Sequence, residues 1–493
     1  MSGQVLGLLM FAPIFLALFL GFPVAFTMAG TALLAACVGA LAGYFDLGLL
    51  ATLPLRTIGL LDGDLLQALP LFVYLGAVLR RTGIAAAMQA TLADLAGGRP
   101  GGLAVAALAM GALLAPTTGA VGATVLTLAA LSLPGMLAAG YDKRVAAGLV
   151  CAAGTLGTIL PPSIVLILMA ESMRGAISEA RAFLIARGDA DVPILSFTSQ
   201  DIYAGALVPV GLLLAVYAAY LVWVAMRAPA KCPAGPARRV GARRLFLHLL
   251  LPAGALIFML TGIVRGWFYT VEAASGAAML VTLYAFARRE IGWAAYRDLL
   301  REVARIVGMI FLLLMAASVV AMVFRGFGSD LLLHRLLANV PGGALGATAA
   351  VMAFAFVFGF FLDAIETVTL IVPIAMPALI ALGADVVWLS VLMAVKVQTS
   401  FMVPPSGFAV FFLRATAPKE VAPADIHRGV LPYIGLQALV LVLLWGVPDV
   451  THALSGRAIS FAAGAVAPAD AVPGEIEFGE EPDDAARQEE EDP

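Results

Sequence analysis

The chain contains one pattern of proline, glycine and aspartate twice, with every matched pair 243 residues apart. The first copy consists of Pro134, Gly140, Asp142 and Pro161-Pro162-Ser163, and the second of Pro377, Gly383, Asp385 and Pro404-Pro405-Ser406. Because glycine and proline constrain the backbone more than other residues do, two copies of one spacing predict two copies of one irregular backbone. Both copies lie in apolar sequence, an arrangement typical of membrane transporters built from repeated halves.

The composition excludes an ordinary soluble domain. Hydrophobic residues make up 62% of the 493 residues and charged residues 12%, whereas soluble domains have roughly 45 to 50% apolar and 25% charged residues. Apolar runs close to the length that crosses a bilayer lie at 6–20, 24–41, 202–226, 245–264, 273–287, 306–324 and 430–447. We therefore predict an all-α polytopic membrane protein. The first run is expected to be a permanent helix, since Met1 to Val5 carries no positive charge and no clean cleavage site follows.

The charge pattern predicts the topology. Six basic residues and no acidic residue lie between Arg227 and Arg244, so this loop is expected in the cytoplasm. Counting spans back from this loop places Asp142 on the same side. Five predicted crossings separate Asp142 from Asp385, and an odd number implies that the two repeats are inverted.

Each repeat is predicted to contain a re-entrant hairpin followed by a broken helix. The hairpins span 100–135 and 341–378, with tips at 116–120 and 359–363, where proline or glycine interrupts the helix. Unwound backbone at membrane depth survives only inside protein or beside a wet cavity. Its free carbonyl groups suit sodium, and half-helix N-termini suit an anionic substrate group. A plain proline kink explains one such break, but two matched breaks beside two hairpins favour a transport site.

The resulting domain map has seven parts. They are N-terminal scaffold helices and a first arm at 1–99, a first transport repeat at 100–173 with its broken helix at 144–173, a periplasmic loop at 174–200, scaffold helices at 201–340 including the basic loop 227–244, a second transport repeat at 341–415 with its broken helix at 386–415, a C-terminal helix at 416–455, and an acidic disordered tail at 456–493. Residues 293–305 are predicted to form an amphipathic segment lying along the membrane interface. The tail is too acidic and too poor in apolar residues to fold.

Several short motifs identify a family. They are Gly21-Phe22-Pro23-Val24-Ala25-Phe26, Leu69-Pro70-Leu71-Phe72-Val73, Arg81-Thr82-Gly83, Arg99-Pro100-Gly101-Gly102, Gly140-Tyr141-Asp142-Lys143, Gly154-Thr155-Leu156-Gly157, Pro161-Pro162-Ser163, Gly359-Phe360-Phe361-Leu362-Asp363 and Arg428-Gly429-Val430-Leu431-Pro432. With these motifs the chain, from about Leu6 to Leu454, resembles the large permease (M) subunit of tripartite ATP-independent periplasmic (TRAP) transporters. It looks closest to the mannitol/chloroaromatic branch.

The resemblance implies a sodium-driven transporter of the bacterial inner membrane. Such a subunit takes a small organic acid from a periplasmic binding protein, works with a small Q subunit, and moves its two hairpin-bearing regions against a scaffold in an elevator motion. Carried onto this chain, the first sodium site would use Thr118, Gly119, Gly157, Leu160 and Pro161, and the second Gly359, Ser400 and Val403. The expected substrate-binding residues are Thr118, Gly119, Ser163, Asp363, Glu366, Lys396 and Ser406.

Lys396 departs from the pattern of the resemblance, in which asparagine is usual at this position. A lysine in a membrane helix costs roughly 2.5 to 3.5 kcal/mol on insertion scales, so it should face a cavity or a carboxylate. Three alternatives remain open: its ammonium replaces the second sodium or binds a substrate carboxylate, it forms a structural ion pair with Asp363 or Glu366, or it reaches the membrane interface.

Other candidates have simpler interpretations. Arg325 is predicted to be an interfacial anchor rather than a substrate clamp, and Glu272 a carboxylate that accepts hydrogen bonds from helix N-terminal amides. The loop 171–200 is either a docking element for the binding protein or an inert insertion.

Alternative function classes have little support in the sequence. The three cysteines and four histidines have no metal-ligand or redox spacing. No nucleophile–base pair or nucleotide-binding loop argues for an enzyme or a primary pump, and no feature indicates nucleic-acid binding. Another ion-coupled secondary transporter and a passive channel for organic anions remain as alternatives.

Overall fold

The computed structural model describes residues 2–118, 121–189, 192–236, 238–403, 407–456 and 458–461, and these residues form helices without any strand. Two predicted site residues, Gly119 and Ser406, lie outside the described residues. So do Pro404-Pro405, the side chains at 116–118, including that of Thr118, and the acidic segment 462–493.

The chain begins with helices that precede the first hairpin. They are α1 (Ser2–Leu9), α2 (Phe11–Phe19), α3 (Val24–Leu41), a 3₁₀ turn (Leu47–Thr52), α4 (Leu53–Leu61), α5 (Asp64–Arg81) and α6 (Ile84–Ala96). The first hairpin and the elements after it are α7 (Gly102–Thr118), α8 (Val121–Leu131), α9 (Leu133–Ala138), α10 (Lys143–Thr155), a 3₁₀ turn (Leu156–Thr158), α11 (Ile164–Ala186) and α12 (Ser199–Arg227).

The second half repeats this order after a connecting group of helices. The connecting group is α13 (Ala242–Leu245), a π-helical turn (Phe246–Leu250), α14 (Leu251–Val264), α15 (Thr270–Ala287) and α16 (Trp293–Gly326). The remaining helices are α17 (Ser329–Ala338), α18 (Gly343–Phe358), α19 (Ala364–Ala381), α20 (Val386–Ser400), α21 (Phe408–Thr416) and α22 (Pro423–Gly446). Within the described residues, eight helices are long and apolar enough to cross a membrane, or up to ten if each of two bent pairs is one span. The predicted all-α polytopic membrane protein is confirmed.

The two repeats have the same local geometry. Gly140 and Gly383 both adopt the left-handed conformation, with φ of +87° and +88°, which a residue with a side chain rarely adopts. Asp142 caps α10 by accepting a hydrogen bond from the Arg144 amide at 2.8 Å, and Asp385 caps α20 by accepting one from the Trp388 amide, one position further on, at 2.7 Å. The repeated sequence pattern therefore produces a repeated turn and cap ahead of each broken helix.

The halves pack reciprocally. Helix α11 packs against α19, the second arm of the other hairpin, and α21 packs against α8. Likewise α10 packs against α22, and α20 against α12. Each half therefore completes the core of the other half.

Glycines allow two of these helices to cross at very short range. A Cβ atom added to Gly148 of α10 would lie 2.0 Å from the carbonyl oxygen of Gly429 in α22, and one added to Gly429 would lie 2.1 Å from the carbonyl oxygen of Arg144. At the corresponding crossing, a Cβ atom on Gly205 of α12 would lie 2.5 Å from Val387 Cγ1 of α20. Small residues at such crossings let helix backbones approach closely in a membrane.

This second crossing reveals part of the repeat that the 243-residue offset misses. Asp201-Ile202 with Gly205 begins α12, and Asp425-Ile426 with Gly429 begins α22, at an offset of 224 residues. The offset is smaller here mainly because α21, with 9 residues, is shorter than its counterpart α11, with 23. A search that allowed an insertion would have found this Asp-Ile-x-x-Gly pair.

Three predicted boundaries were wrong. The first broken helix does not end at 173, because α11 continues to Ala186 and shortens the predicted loop 174–200. The predicted interfacial segment 293–305 is the first part of α16, a single helix of 34 residues. The predicted disordered tail does not begin at 456, because residues 458–461 are held against the protein: the Ile459 amide donates a hydrogen bond to Asp385 Oδ2 at 2.5 Å, and Phe461 is buried.

The close crossing at Gly429 leads to a test with a control on the same helix. We expect Gly429→Ala to lower the thermal unfolding midpoint of the purified protein, because the added methyl group meets the Arg144 backbone and overpacking typically costs about 1 to 3 kcal/mol. Gly435→Ala is the control, since a Cβ atom there meets nothing within 4 Å. Equal midpoints for the two variants would contradict the crossing.

Candidate functional site

The two broken helices meet at equivalent residues. Gln398 Nε2 of α20 donates a hydrogen bond to Thr155 Oγ1 of α10 at 3.4 Å, and these two positions are 243 residues apart. Residues related by a two-fold axis contact each other only near that axis. Thr155 and Gln398 therefore mark the pseudo-two-fold axis between the halves. Sequence reasoning missed this contact, although applying the repeat offset to Thr155 identifies Gln398.

The first break is organised by a serine. After the turn Leu156–Thr158 the chain has a cis peptide bond between Pro161 and Pro162. The Ser163 hydroxyl donates to the Gly157 carbonyl oxygen at 2.7 Å, with a longer contact of 3.2 Å to that of Thr158, and accepts from the Val165 amide at the start of α11. Ser163 therefore ties the two ends of the break together.

The carbonyl groups at this break suit a small hard cation. Among the described residues, no hydrogen bond reaches the carbonyl oxygens of Leu160 and Pro161. The Gly157 oxygen, although it accepts from Ser163, retains a second lone pair. Gly157 and Pro161 are buried and Leu160 is half-buried, so most of this break lies inside the protein. The same described part of the chain holds no group of three or more His, Cys, Asp or Glu side chains placed to bind a metal.

At the second break the hairpin tip lies directly against the broken helix. A Cβ atom added to Gly359, at the end of α18, would lie 2.7 Å from both Cβ and Oγ of Ser400, the last residue of α20. The structure thus brings together two of the residues that the resemblance assigns to one sodium site. Val403 follows within the same break, three residues after Ser400.

The two carboxylates at this tip form the start of a helix. Asp363 is the N-cap residue of α19, although its side chain makes no capping hydrogen bond. The Glu366 carboxylate accepts from the Asp363 amide at 2.9 Å, which satisfies a free backbone donor at the helix start. The described hydrogen bond of Glu366 therefore serves the backbone of the hairpin.

The Lys396 ammonium lies against an aromatic ring rather than against a carboxylate. Its Nζ lies 3.4 Å from the centroid of the Phe356 ring on α18. Among the described residues, no salt bridge joins Lys396 to Asp363 or Glu366. The ion-pair alternative is therefore wrong for this conformation, and the aromatic contact was not predicted.

Two other predicted residues have structural roles at helix ends. The Glu272 carboxylate accepts from the Tyr269 amide at 3.0 Å at the start of α15, which confirms that it satisfies N-terminal amides. Arg325 forms an ion pair with Glu179 of α11 and so links α16 to the extended part of the first broken helix. Arg325 therefore has a defined carboxylate partner, whereas the prediction assigned it only to the membrane interface.

The comparisons with known proteins agree with this architecture. Residues 11–450 match the family model described as the tripartite ATP-independent periplasmic transporter, DctM component. The chain belongs to the DctM family. This DctM-family permease is therefore a multi-pass component of a membrane transporter.

Curated relatives of the permease are similar over most of its length. It is 26% identical to the isethionate TRAP transporter permease protein DctMQ of Oleidesulfovibrio alaskensis over 90% of this chain, and spans 65% of that protein's length. It is 27% identical to the C4-dicarboxylate TRAP transporter large permease protein DctM of Rhodobacter capsulatus, covering 79% of this chain and 86% of the relative. Among solved structures, the Alcanivorax borkumensis YdaH transporter has the same fold, with a TM-score of 0.59 at 16% identity over 81% of this chain and 87% of YdaH.

The contact between Gly359 and Ser400 predicts a rescue experiment. Gly359→Ala should separate the hairpin tip from α20, because the new methyl group would overlap Ser400. We expect faster amide hydrogen exchange at residues 359–366 in this variant. The double variant Gly359→Ala/Ser400→Gly should restore slow exchange by removing the Cβ and hydroxyl that clash. Unchanged exchange in the single variant would show that the tip does not depend on this contact.

Proposed function

We propose that this DctM-family permease imports a small organic acid across the bacterial inner membrane, driven by sodium. The observation that carries the proposal is the pair of broken helices that meet at Thr155 and Gln398, each beside a hairpin of its own repeat. One break presents buried carbonyl oxygens, and the other lies against the tip residue Gly359. Inverted repeats with broken helices are a common way of building paired ion and substrate sites.

The sodium ions would be held at the two breaks. At the first, the carbonyl oxygens of Gly157, Leu160 and Pro161 would provide ligands, together with Thr118 and Gly119 at the tip of the hairpin. At the second, Gly359, Ser400 and Val403 would provide them. Binding of sodium would stabilise each hairpin tip against its broken helix, so that sodium and substrate move together.

The substrate class rests on the relatives. Their names refer to the carboxylates C4-dicarboxylate and 2,3-diketo-L-gulonate, to the sulfonate isethionate and to the zwitterion ectoine. We propose a small carboxylate that contacts Ser163, Ser406, the tip residues Thr118 and Gly119, and the second hairpin near Asp363 and Glu366. The specific acid would be selected by a periplasmic binding protein.

Partner proteins follow from the same relatives. The fused name DctMQ supports a small Q-type membrane subunit as a companion of this chain. A groove of about 470 Å³ lies beside the loop between α11 and α12, lined by Arg174, residues 195–200 and the start of α15. On the predicted topology it opens to the periplasm, where we propose that the binding protein docks. The hairpins would then carry substrate by an elevator motion against α1–α6 and α13–α16.

Reconstituted transport tests the proposal. The binding protein that partners this permease is screened by thermal shift against succinate, isethionate, lactate, benzoate and ectoine, and the ligand found is then supplied to proteoliposomes containing the permease and its Q subunit. We expect accumulation above equilibrium under an inward sodium gradient and no accumulation after a sodium ionophore collapses the gradient. Equal flux with and without the gradient would instead support a passive channel, and a requirement for protons alone would support another coupling ion.

Ser163 offers a test of the first sodium site. Ser163→Ala removes the hydroxyl that positions the Gly157 and Thr158 carbonyl groups. We expect the sodium concentration for half-maximal uptake to rise about threefold to tenfold, the effect of losing one hydrogen bond. Ser275→Ala on α15 is the control, because Ser275 is exposed and bonds only to its own helix at Glu272. An unchanged sodium dependence in Ser163→Ala would argue against this site.

A further inference from the structure

We propose that Lys396 is the anion-binding residue of the substrate site, with its ammonium group pairing directly with the carboxylate of the transported acid. The inference rests on the proposed function and assigns a specific role to one residue of the second half. It separates two functional alternatives for Lys396, pairing with the substrate and replacement of a sodium ion.

The position of Lys396 places its charge beside the second break. Lys396 lies one helical turn before Ser400, and the Ser400 hydroxyl donates to the Lys396 carbonyl oxygen at 3.2 Å. Its neighbours Val395 and Val397 are buried, whereas Lys396 itself is only half-buried. The side chain is directed at α18, the hairpin arm that ends at Gly359. The ammonium is thus close to the hairpin tip and partly accessible.

The ammonium has no anionic partner among the described residues. Its described contact is the face of Phe356, 3.4 Å from the ring centroid. A cation–π contact of this kind is attractive, but it occupies one side of a group that has three hydrogen-bond donors. Neither Asp363 nor Glu366 forms a described salt bridge with it, and the Glu366 carboxylate accepts a hydrogen bond from the Asp363 backbone amide at the start of α19. A carboxylate supplied by the substrate would balance the charge.

Comparison of the two halves shows that this charge is not needed by the fold. The position equivalent to Lys396 in the first repeat is Ala153. There the helices are in close contact, since a Cβ atom on Gly111 of α7 would lie 2.7 Å from Ala153 Cβ. The same pair of elements, a hairpin arm and a broken helix, therefore packs without a cation in one half and around a cation in the other. The positive side chain is therefore present beside the second break and absent from the equivalent position beside the first.

This asymmetry favours substrate pairing over sodium replacement. The residues assigned to the second sodium site, Gly359 and Ser400, are already in contact one turn away from the Lys396 backbone. The Lys396 side chain instead extends along Phe356, whose ring lies 4.9 Å from that of Phe360. A bound acid would pair its carboxylate with Nζ and place its apolar part against these two rings.

Ligand-induced stabilisation of the purified complex of permease and Q subunit tests the proposal. Thermal unfolding is followed while sodium, and then succinate, isethionate, lactate or benzoate at constant sodium, is titrated. Lys396→Met removes the charge while keeping an extended side chain, and it should fold well because an apolar residue suits a membrane helix. We expect its half-saturating concentration for the acid that stabilises wild type best to rise about tenfold to a hundredfold, the range for losing a hydrogen bond to a charged group.

Matched variants separate the explanations. Lys396→Arg keeps the positive charge and should retain most of the acid response, and Lys419→Met, on an exposed loop, should behave as wild type. Stabilisation by sodium should be the same in all variants. An unchanged acid response in Lys396→Met would overturn the proposal, as would loss of the sodium response with the acid response intact. Failure of sodium-driven uptake in wild type would instead reject the proposed coupling, independently of this binding result.

Discussion

The structure depends on one constraint, which is that a helix interrupted at membrane depth must have its free backbone groups enclosed by protein. Both breaks, after Thr155 and after Ser400, satisfy it in the same general way. Each is covered by a hairpin from its own half and by elements of the other half. The reciprocal packing of α11 on α19 and of α21 on α8 follows from this requirement. The fold therefore surrounds the two positions where carbonyl groups are left available.

The two halves have equivalent backbone elements, whereas the side chains at their two breaks differ. Equivalent turns at Gly140 and Gly383 and equivalent caps at Asp142 and Asp385 begin the two broken helices. The first break is then tied by the Ser163 hydroxyl, while the second lies beside the Lys396 ammonium and the Phe356 ring. Two identical sites would bind two identical ligands. Halves that differ in charge are better suited to holding an asymmetric acid in one orientation.

Much of the fold was predictable because its signals are local. Apolar run lengths predicted the membrane helices, and glycine and proline predicted the hairpins and the breaks. Helix boundaries that depend on packing were harder to predict from the sequence. Helix α11 continues to Ala186, where it packs against α19 and pairs Glu179 with Arg325. The segment 458–461 is held by a hydrogen bond to Asp385. For the site, the resemblance assigned Gly359 and Ser400 to one sodium site, and the structure has them in contact. The carboxylate of Glu366, one of two suggested partners of Lys396, instead bonds the Asp363 amide.

The sequence by itself determined the class of protein, the duplication and the positions of the two breaks, because hydrophobic length and the backbone restrictions of glycine and proline act within a few residues. Only the tertiary structure decided which residues meet across the halves. The contact between Thr155 and Gln398, the crossing of Gly148 with Gly429, and the aromatic neighbour of Lys396 join residues far apart in the chain. Such contacts depend on how whole helices pack, and packing is set by the shapes of all the surfaces together.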